Sequence, residues 1–432
     1  MPRVLLLATT TGYQTRAFAD AAERLGVDLV YATDRCNVLE DPWSDQAIAI
    51  RFFDEHGAIA AIAEQSHKTP IDGVLAVGDR PTVIASRVLE ALGLPGNPPA
   101  AAAAARNKLT TRERLREAGL PVPTFLPASV GDDAHELAQS VTFPVVVKPL
   151  TLSGSRGVMR ADDPSELVAA FDRLRALFQA PDIRAERSDA DARVLVEGFI
   201  EGREFAIEGV LDHGTLQLFA IFDKPDPLNG PFFEETIYVT PSSVSPEEQA
   251  AIAGSVARAA QALGLRHGPI HAECRVQSAG GDRVRVFVLE VAARPIGGLC
   301  ARALRFQSRE EPGPLISLEE LLLRHALGES AGKWQREAAA SGVMMIPIPR
   351  RGVLRRVAGI DEARQVRGVD DVRITAKSDQ VLVPLPEGAS YLGFIFAHAP
   401  EPGEVVRALR VAHQHLEFAI DPEVPVLQSH YV

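Results

Sequence analysis

Two stretches decide how this chain reads: Pro269-Ile270-His271-Ala272-Glu273-Cys274-Arg275-Val276-Gln277 and Val284-Arg285-Val286-Phe287-Val288-Leu289-Glu290, joined through Gly281-Asp282. Apolar-rich runs on either side of a Gly-Asp pair are the pattern of a β-hairpin. A two-residue turn at Gly281-Asp282 sets Glu273 directly opposite Glu290. Opposed side chains sit about 5 Å apart at Cβ, and two carboxylates there repel. A divalent cation between them converts repulsion into binding, and two hard oxygen donors suit Mg²⁺. The competing readings leave both acids solvated on an exposed face or let the register slip; Leu289 and Val291, which read as buried, favour the metal. Arg294 follows in Val291-Ala292-Ala293-Arg294-Pro295-Ile296-Gly297-Gly298. A guanidinium there can steady a transferring phosphoryl group or grip a carboxylate, or simply pair with Glu290. His271 shares the strand face of Glu273 and, taken alone, reads as structural.

Working outward, Val145-Val146-Val147-Lys148-Pro149 precedes Ser153-Gly154-Ser155-Arg156-Gly157-Val158. A β-run ending in lysine and then a small-residue loop can hold a triphosphate, because glycines let backbone N–H groups approach the oxygens. A plain hairpin with a solvated lysine fits the same residues. There is no Walker A motif: Gly332-Lys333 runs into Trp334, and Leu327 stands where the first glycine is needed. Leu195-Val196-Glu197-Gly198-Phe199-Ile200-Glu201-Gly202-Arg203-Glu204 reads either as a linker that hydrogen-bonds a nucleobase through its backbone or as a turn into a hairpin. That hairpin is Glu204–Leu211 and Thr215–Ile221, turning at Asp212-His213-Gly214, and Pro246 to Leu263 is an amphipathic helix.

The N-terminal region differs in kind. Strands at residues 3–8, 27–32 and 73–77 alternate with a helix over about 14–25, after a polar turn Thr9-Thr10-Thr11-Gly12. Such alternation implies a parallel sheet with helices on its faces, and the missing GxGxxG argues against a dinucleotide. Gly93-Leu94-Pro95-Gly96-Asn97-Pro98-Pro99 closes this unit. The alanine run 100–105 leads into Arg106-Asn107-Lys108-Leu109 and a helix reaching about Ala118. A helix over 318–326 precedes a third unit from about Gly342, with strands at 343–348, 372–374 and 393–398 and a helix from Pro402 to Phe418.

Composition bounds the rest. A chain of 432 residues holds two to four domains at about 150 residues each. With 46% hydrophobic and 24% charged residues it reads as globular, and no apolar run approaches the roughly 20 residues of a membrane span. Val4 to Ala8 is shorter than a signal-peptide core. Cys36, Cys274 and Cys300 show neither paired nor CxxC spacing. A net charge of −12 argues against nucleic acid or anionic membrane as the partner. The expectation is a soluble cytoplasmic enzyme.

In this order the pieces resemble the ATP-grasp superfamily, and within it the carboxylate–amine ligases of the L-amino acid ligase (dipeptide synthase) and carnosine-synthase-like branch. The resemblance implies a multidomain α/β and α+β fold. Residues 1–95 would be a doubly wound pre-ATP-grasp domain. Residues 96–340 would be the ATP-grasp domain, with a glycine-loop subdomain over 125–200 and a catalytic subdomain over 201–330. Residues 341–432 would be a small C-terminal α+β domain. It implies ATP and Mg²⁺ (or Mn²⁺), a small-molecule carboxylate and an amine such as amino acids, and a homodimer as the expected assembly. Lys108 and Lys148 look like the lysines on the α- and β-phosphates, and Ser153, Gly154, Ser155 and Gly157 like the loop that closes over the phosphates. Glu197, Gly198 and Ile200 resemble the adenine linker, and Glu204 the acid on the ribose hydroxyls. Glu273 and Glu290 match the metal ligands, and Arg294, with Lys148, the catalytic cations. The stretch Lys224 to Glu235 resembles that branch's substrate loop, with Glu235 a contact for a substrate ammonium; His271, Gly297 and Gly298 complete a roomy substrate pocket.

Two departures stand out. Ala292 replaces the asparagine of the family's Glu-x-Asn-x-Arg, and Tyr238 stands where a histidine often precedes a proline, here Pro241. The function implied is a ligase forming an amide bond through an acyl phosphate, releasing ADP and phosphate. A biotin-carboxylase-like or purine-pathway ligase, and an ATP-binding regulator without catalysis, are the alternatives.

Overall fold

Strands Arg3–Ala8, Asp28–Thr33, Ile48–Ala49 and Gly73–Val77 form one parallel sheet, with Arg3–Ala8 between Asp28–Thr33 and Gly73–Val77. This computed structural model describes residues 1–9, 14–34, 47–185, 192–279, 283–311 and 313–423. Alternation along Arg3–Ala8 feeds two cores. Leu5 and Leu7 pack with Ile62 and Ile84, whereas Val4 and Leu6 pack with Phe18 and Ala21 of the helix Thr15–Leu25. Both faces are covered, so the unit is doubly wound. The strand read as third is the fourth, because Ile48–Ala49 is too short to show a period in sequence. Thr10 to Gly12 of the expected turn, and Cys36, lie outside the described residues.

The helix expected over the alanine run and beyond is two helices, Pro99–Arg106 and Lys108–Glu117. Asn107 takes an extended conformation, and its Oδ1 accepts from the N–H groups of Leu109 and Thr110 at 3.0 and 3.2 Å. That asparagine cap starts a new helix and turns Lys108 off the axis of the old one.

Phe125–Ser129, Arg193–Gly198, Val145–Pro149 and Met159–Ala161 make a four-stranded antiparallel sheet. Leu167, Phe171 and Leu174 of the helix Pro164–Leu177 pack on it against Val145, Val147 and Val196. Central to the molecule is an eight-stranded sheet. It runs from the hairpin Arg283–Ala292/Gly268–Ala279 through Arg203–Asp212 and Thr215–Asp223 to Ile237–Thr240, Ala340–Ile346, Gly393–Ala399 and Val369–Ile374. The third unit is therefore not a sheet of its own: three of its strands continue the central one. Gly352–Ala358, Val381–Leu382 and Glu417–Asp421 form a small sheet beside it. The last helix stops at Gln414 rather than Phe418, because Phe418 pairs with Val357 in that small sheet.

The helix Pro246–Leu263 starts in a capping box, Ser245 with Glu248, and lays Ile252, Val256 and Leu263 on one face of the deciding hairpin. Ile270, Ala272, Val286, Val288 and Val291 point toward that helix. His271, Glu273 and Arg275 point the other way. Among the described residues, no helix is long and apolar enough to cross a membrane.

Candidate active site

Glu273 does face Glu290 across the hairpin, but by a route the turn did not predict. Gly281-Asp282 lies outside the described residues, and Ala279 pairs with Arg283 and Cys274 with Val288, one step off the register of a two-residue turn. A bulge then leaves Leu289 without a partner and restores Glu290 opposite Glu273. Strict alternation from Val288 would send Glu290 to the helix face; the extra residue turns both Leu289 and Glu290 into the cavity on the opposite side. Leu289, read as buried, is a half-buried wall of that cavity.

The cavity measures about 330 Å³. Around it stand Lys108, Lys148, Ser153, Gly154, Ser155, Glu197, Gly198, Ile200, Glu204, Glu235, His271, Glu273, Glu290, Arg294, Gly297 and Gly298, all expected from sequence. Gly157 and Lys224 are not on its wall. Asp79, Tyr238, Arg275, Leu289, Cys300 and Tyr391 are, and sequence reasoning named none of them as site residues.

Three charged knots set its electrostatics. In the first, Lys148 Nζ lies 2.6 Å from Glu197 Oε2, and the buried Arg112 pairs with both Glu197 oxygens while donating to Val288 O at 3.1 Å. Burial opposes ionisation of Glu197, yet Arg112 and Lys148 outweigh it and hold the carboxyl down at about 2. Its carboxylate thus faces two cations in the protein interior, which leaves the backbone of 197–200, the part expected to read a nucleobase, for that task. Lys108 Nζ donates to Leu152 O at 2.6 Å. Burial lowers its pKa below the usual lysine range, the nearby Lys148 adding to the effect and Glu290 opposing it.

In the second knot Lys224 Nζ is 2.8 Å from Glu204 Oε1 and 3.0 Å from Glu273 Oε1, and it contacts Glu235. Burial penalises this ammonium, but the three carboxylates raise its pKa well above the ordinary value. The other Glu204 oxygen accepts from Arg275 Nε at 2.8 Å. Both Glu204 oxygens therefore contact cations, and the carboxylate still lines the cavity where the ribose hydroxyls were expected. Tyr238 donates its hydroxyl to Glu235 at 2.6 Å. Burial pushes Glu235 up to about 7 against the pull of Lys224, and repulsion by Glu273 adds to the rise. His271 lies between Glu208, 3.1 Å from Nδ1, and Glu273, 3.8 Å from Nε2. Burial disfavours its charge, but the two glutamates win and lift it to about 9.

The third knot joins distant segments. Arg294 makes a bidentate pair with Asp79, at 3.0 and 3.1 Å, from the turn after Gly73–Val77. Its Nη2 also lies 3.9 Å from Glu290 Oε1. The alternative role, a partner of Glu290, is thus the minor one. Ala292 pairs with His271 in the register and lies on the cavity face beside Glu290, so the asparagine it replaces would have pointed at the same place.

The small-residue loop is wound tightly: Gly154 and Ser155 have φ of +63° and +55°. Gly157 N–H donates to Pro386 O at 2.8 Å and Arg156 Nε to Glu387 O at 2.8 Å. Arg173 grips Glu387 at 2.7 and 2.9 Å. A segment of the third unit thereby holds the loop over the cavity. Gly297 is open, a Cβ there meeting only Arg294 Nη1 at 4.0 Å; at Gly298 it would come within 3.1 Å of the Phe394 ring. The room expected beside Arg294 exists at one glycine, whereas the other is a packing requirement.

Comparison with known proteins places this geometry. The ATP-grasp N-terminal domain family matches residues 19–96, the ATP-grasp domain family residues 141–303, and L-amino acid ligase C-terminal domain 2 residues 344–421. The solved L-amino acid ligase of Bacillus licheniformis superposes with a TM-score of 0.77 at 25% identity, covering 98% of this chain and 99% of that one. D-alanine–D-alanine ligase B of Chromobacterium violaceum is 29% identical over 240 residues, 55% of this chain and 72% of its own. Carnosine synthase 1 of Gallus gallus is 31% identical over 268 residues, 60% of this chain and 27% of its own. With three family matches in the expected order over most of its length, the chain belongs to the ATP-grasp superfamily and carries the C-terminal domain of its L-amino acid ligases.

Proposed function

We propose that this protein is an ATP-dependent ligase that joins a carboxylate, an amino acid in the first instance, to an amine through an acyl phosphate, releasing ADP and phosphate. The observation that carries the reading is the convergence, on one cavity, of two lysines, two facing glutamates and an arginine, under a loop held by the L-amino acid ligase C-terminal unit. Lys108, Lys148 and the backbone of Ser153–Ser155 hold the triphosphate, and the backbone of Gly198–Ile200 reads the base edge. Glu273 and Glu290 are hard oxygen donors on adjacent strands of one face, a donor set that fits Mg²⁺ or Mn²⁺. Bound there, the ion would neutralise charge on the phosphates.

The carboxylate oxygen of the acid attacks the γ-phosphorus of ATP, the bond to the β,γ-bridging oxygen breaks, and ADP leaves. Arg294, fixed by Asp79, steadies the resulting acyl phosphate. The amine nitrogen then attacks the acyl carbon; phosphate departs and the nitrogen loses a proton. Such transfer depends on positioning and electrostatics, not on a protein nucleophile. The closed loop excludes the water that would hydrolyse the intermediate. Glu235 lines the place where a substrate ammonium would sit.

The test is ADP release from the purified chain against a matrix of amino acids, singly and in pairs, with products read by mass spectrometry. A dipeptide formed with one ADP per bond is the expected result. ATP binding without turnover in any acid–amine mixture would refute it. Cytoplasmic location and a homodimer complete the reading, the latter checked by sedimentation.

A further inference from the structure

At the end of the central sheet remote from the cavity, three histidines and an aspartate converge. Asp212 ends the strand Arg203–Asp212 and His213 begins the turn after it, His267 lies just before Gly268–Ala279, and His325 near the end of the helix Leu318–Ala326. One side-chain donor atom each from Asp212, His213 and His267 lies within 4.8 Å of the other two. The His267 ring stacks on His325 with centroids 4.4 Å apart and lies 5.0 Å from His213. His325 Nδ1 is 3.2 Å from Glu329 O. A carbonyl only accepts, so Nδ1 carries the proton in that contact. The Nε2 of His325 and the Nδ1 of His267 are buried without a hydrogen-bond partner among the described residues. Buried nitrogens left so are uncommon and call for an explanation.

We propose that Asp212, His213 and His267 form a binding site for a divalent late first-row metal ion, represented by Zn²⁺, backed by the stacked ring of His325. Two imidazoles and one carboxylate prefer such an ion to Mg²⁺, which takes all-oxygen sites like the one at Glu273 and Glu290. Three protein ligands leave a position for water. The support around them is of the kind metal sites use: Ser330 Oγ donates to Asp212 at 3.0 Å, and Asn97 Oδ1 accepts from the backbone N–H of His267 at 3.0 Å. His213 is exposed, at φ +48°, so the site opens to solvent. The metal would tie a turn of the sheet to the start of the strand that carries Glu273.

The test titrates Zn²⁺ into untagged, chelator-treated full chain by calorimetry, with Mg²⁺ in excess to fill the all-oxygen donors. One Zn²⁺ per chain is expected, with affinity falling at least about tenfold in His213→Ala and in Asp212→Asn. Zn²⁺ should also raise the melting temperature of the wild type and not of His213→Ala, whose exposed side chain the fold does not need. No binding to the wild type, or binding unchanged in both variants, would overturn the proposal. So would loss of Zn²⁺ in Glu290→Gln with retention in His213→Ala, since the ion would then occupy the cavity. The outcome is independent of whether the chain is a ligase.

Discussion

Glu197 stands in the interior between two cations, Lys148 and the fully buried Arg112. Its carboxyl titrates at about 2 in the fold against 4.5 free, a depressed value. The stability it supplies is therefore complete above pH 4.5 and lost as the pH falls toward 2, an amount of about 3 kcal/mol. Glu197→Gln strands Arg112 without a counter-charge and should cost about 3–5 kcal/mol near neutrality by urea unfolding. The gap to wild type should narrow between pH 4.5 and 2; a gap independent of pH would show that the pairing is not what holds Glu197 ionised. Glu273→Gln tests the other end of the site. It removes one donor of the facing pair and should lower ADP release at least about a hundredfold. Wild-type turnover in that variant would remove Glu273 from the chemistry. Glu273 and Glu290 were legible in sequence because they lie on the two strands of one hairpin with a visible period, and Arg294 follows four residues after Glu290. Asp79 and Arg112 were not: their partners lie 215 and 85 residues away, and no local pattern announces a pairing that only the tertiary fold creates.

Elements with strong periods and caps were readable to within a residue or two: the helices Pro246–Leu263 and Leu318–Ala326 have the limits expected of them. Where a short-range device overrode the period, reading failed. Asn107 split one expected helix into two, and pairing of Phe418 ended another early. The hairpin bulge is the subtlest case, since the expected facing pair is right although the expected register is not. The segment that holds the small-residue loop at 153–157 was invisible, because nothing in Pro386-Glu387 marks it as a partner for Arg156 and Arg173. Its energetics favour reversible closure: the Arg173–Glu387 pair is half exposed, and exposed pairs contribute at most about 1 kcal/mol. Glu387→Ala should therefore leave the melting temperature within a few degrees of wild type. It should raise the KM for ATP severalfold and increase ADP release in the absence of amine, as water reaches the acyl phosphate through a looser loop. Unchanged KM and unchanged amine-independent release would show that the contact is ornamental to closure.

The three units do not keep wholly separate cores: Leu5 and Leu7 pack within the N-terminal unit, but the other face of its sheet joins a shared cluster. Val4, Leu6 and Phe18 of the N-terminal sheet belong to the same buried cluster as Phe222 and Tyr238 of the central sheet and Val343 and Phe394 of the C-terminal strands. One face of the N-terminal sheet is closed by Leu321 and Leu322 of a helix more than two hundred residues later, and Gly73 lets that helix approach: a Cβ there would stand 2.7 Å from Ala326 O. The Asp79–Arg294 pair crosses the same boundary at the cavity. Removing the N-terminal unit would expose the apolar face of that helix and free the guanidinium proposed to hold the acyl phosphate, so folding and catalysis depend on the same junction. Proteins of this length commonly unfold in stages when their units have separate cores. Here the shared cluster should merge the stages. Leu6→Ala, in the first strand, and Phe394→Ala, in one of the last, each delete buried side chain from that one cluster, at a cost of about 2–5 kcal/mol. Both should move a single calorimetric transition downward, with the van't Hoff enthalpy staying close to the calorimetric one. If Leu6→Ala instead split off an early transition that Phe394→Ala left in place, the N-terminal unit would be folding on its own, and the coupling of its Asp79 to the cavity would have to survive without a common core.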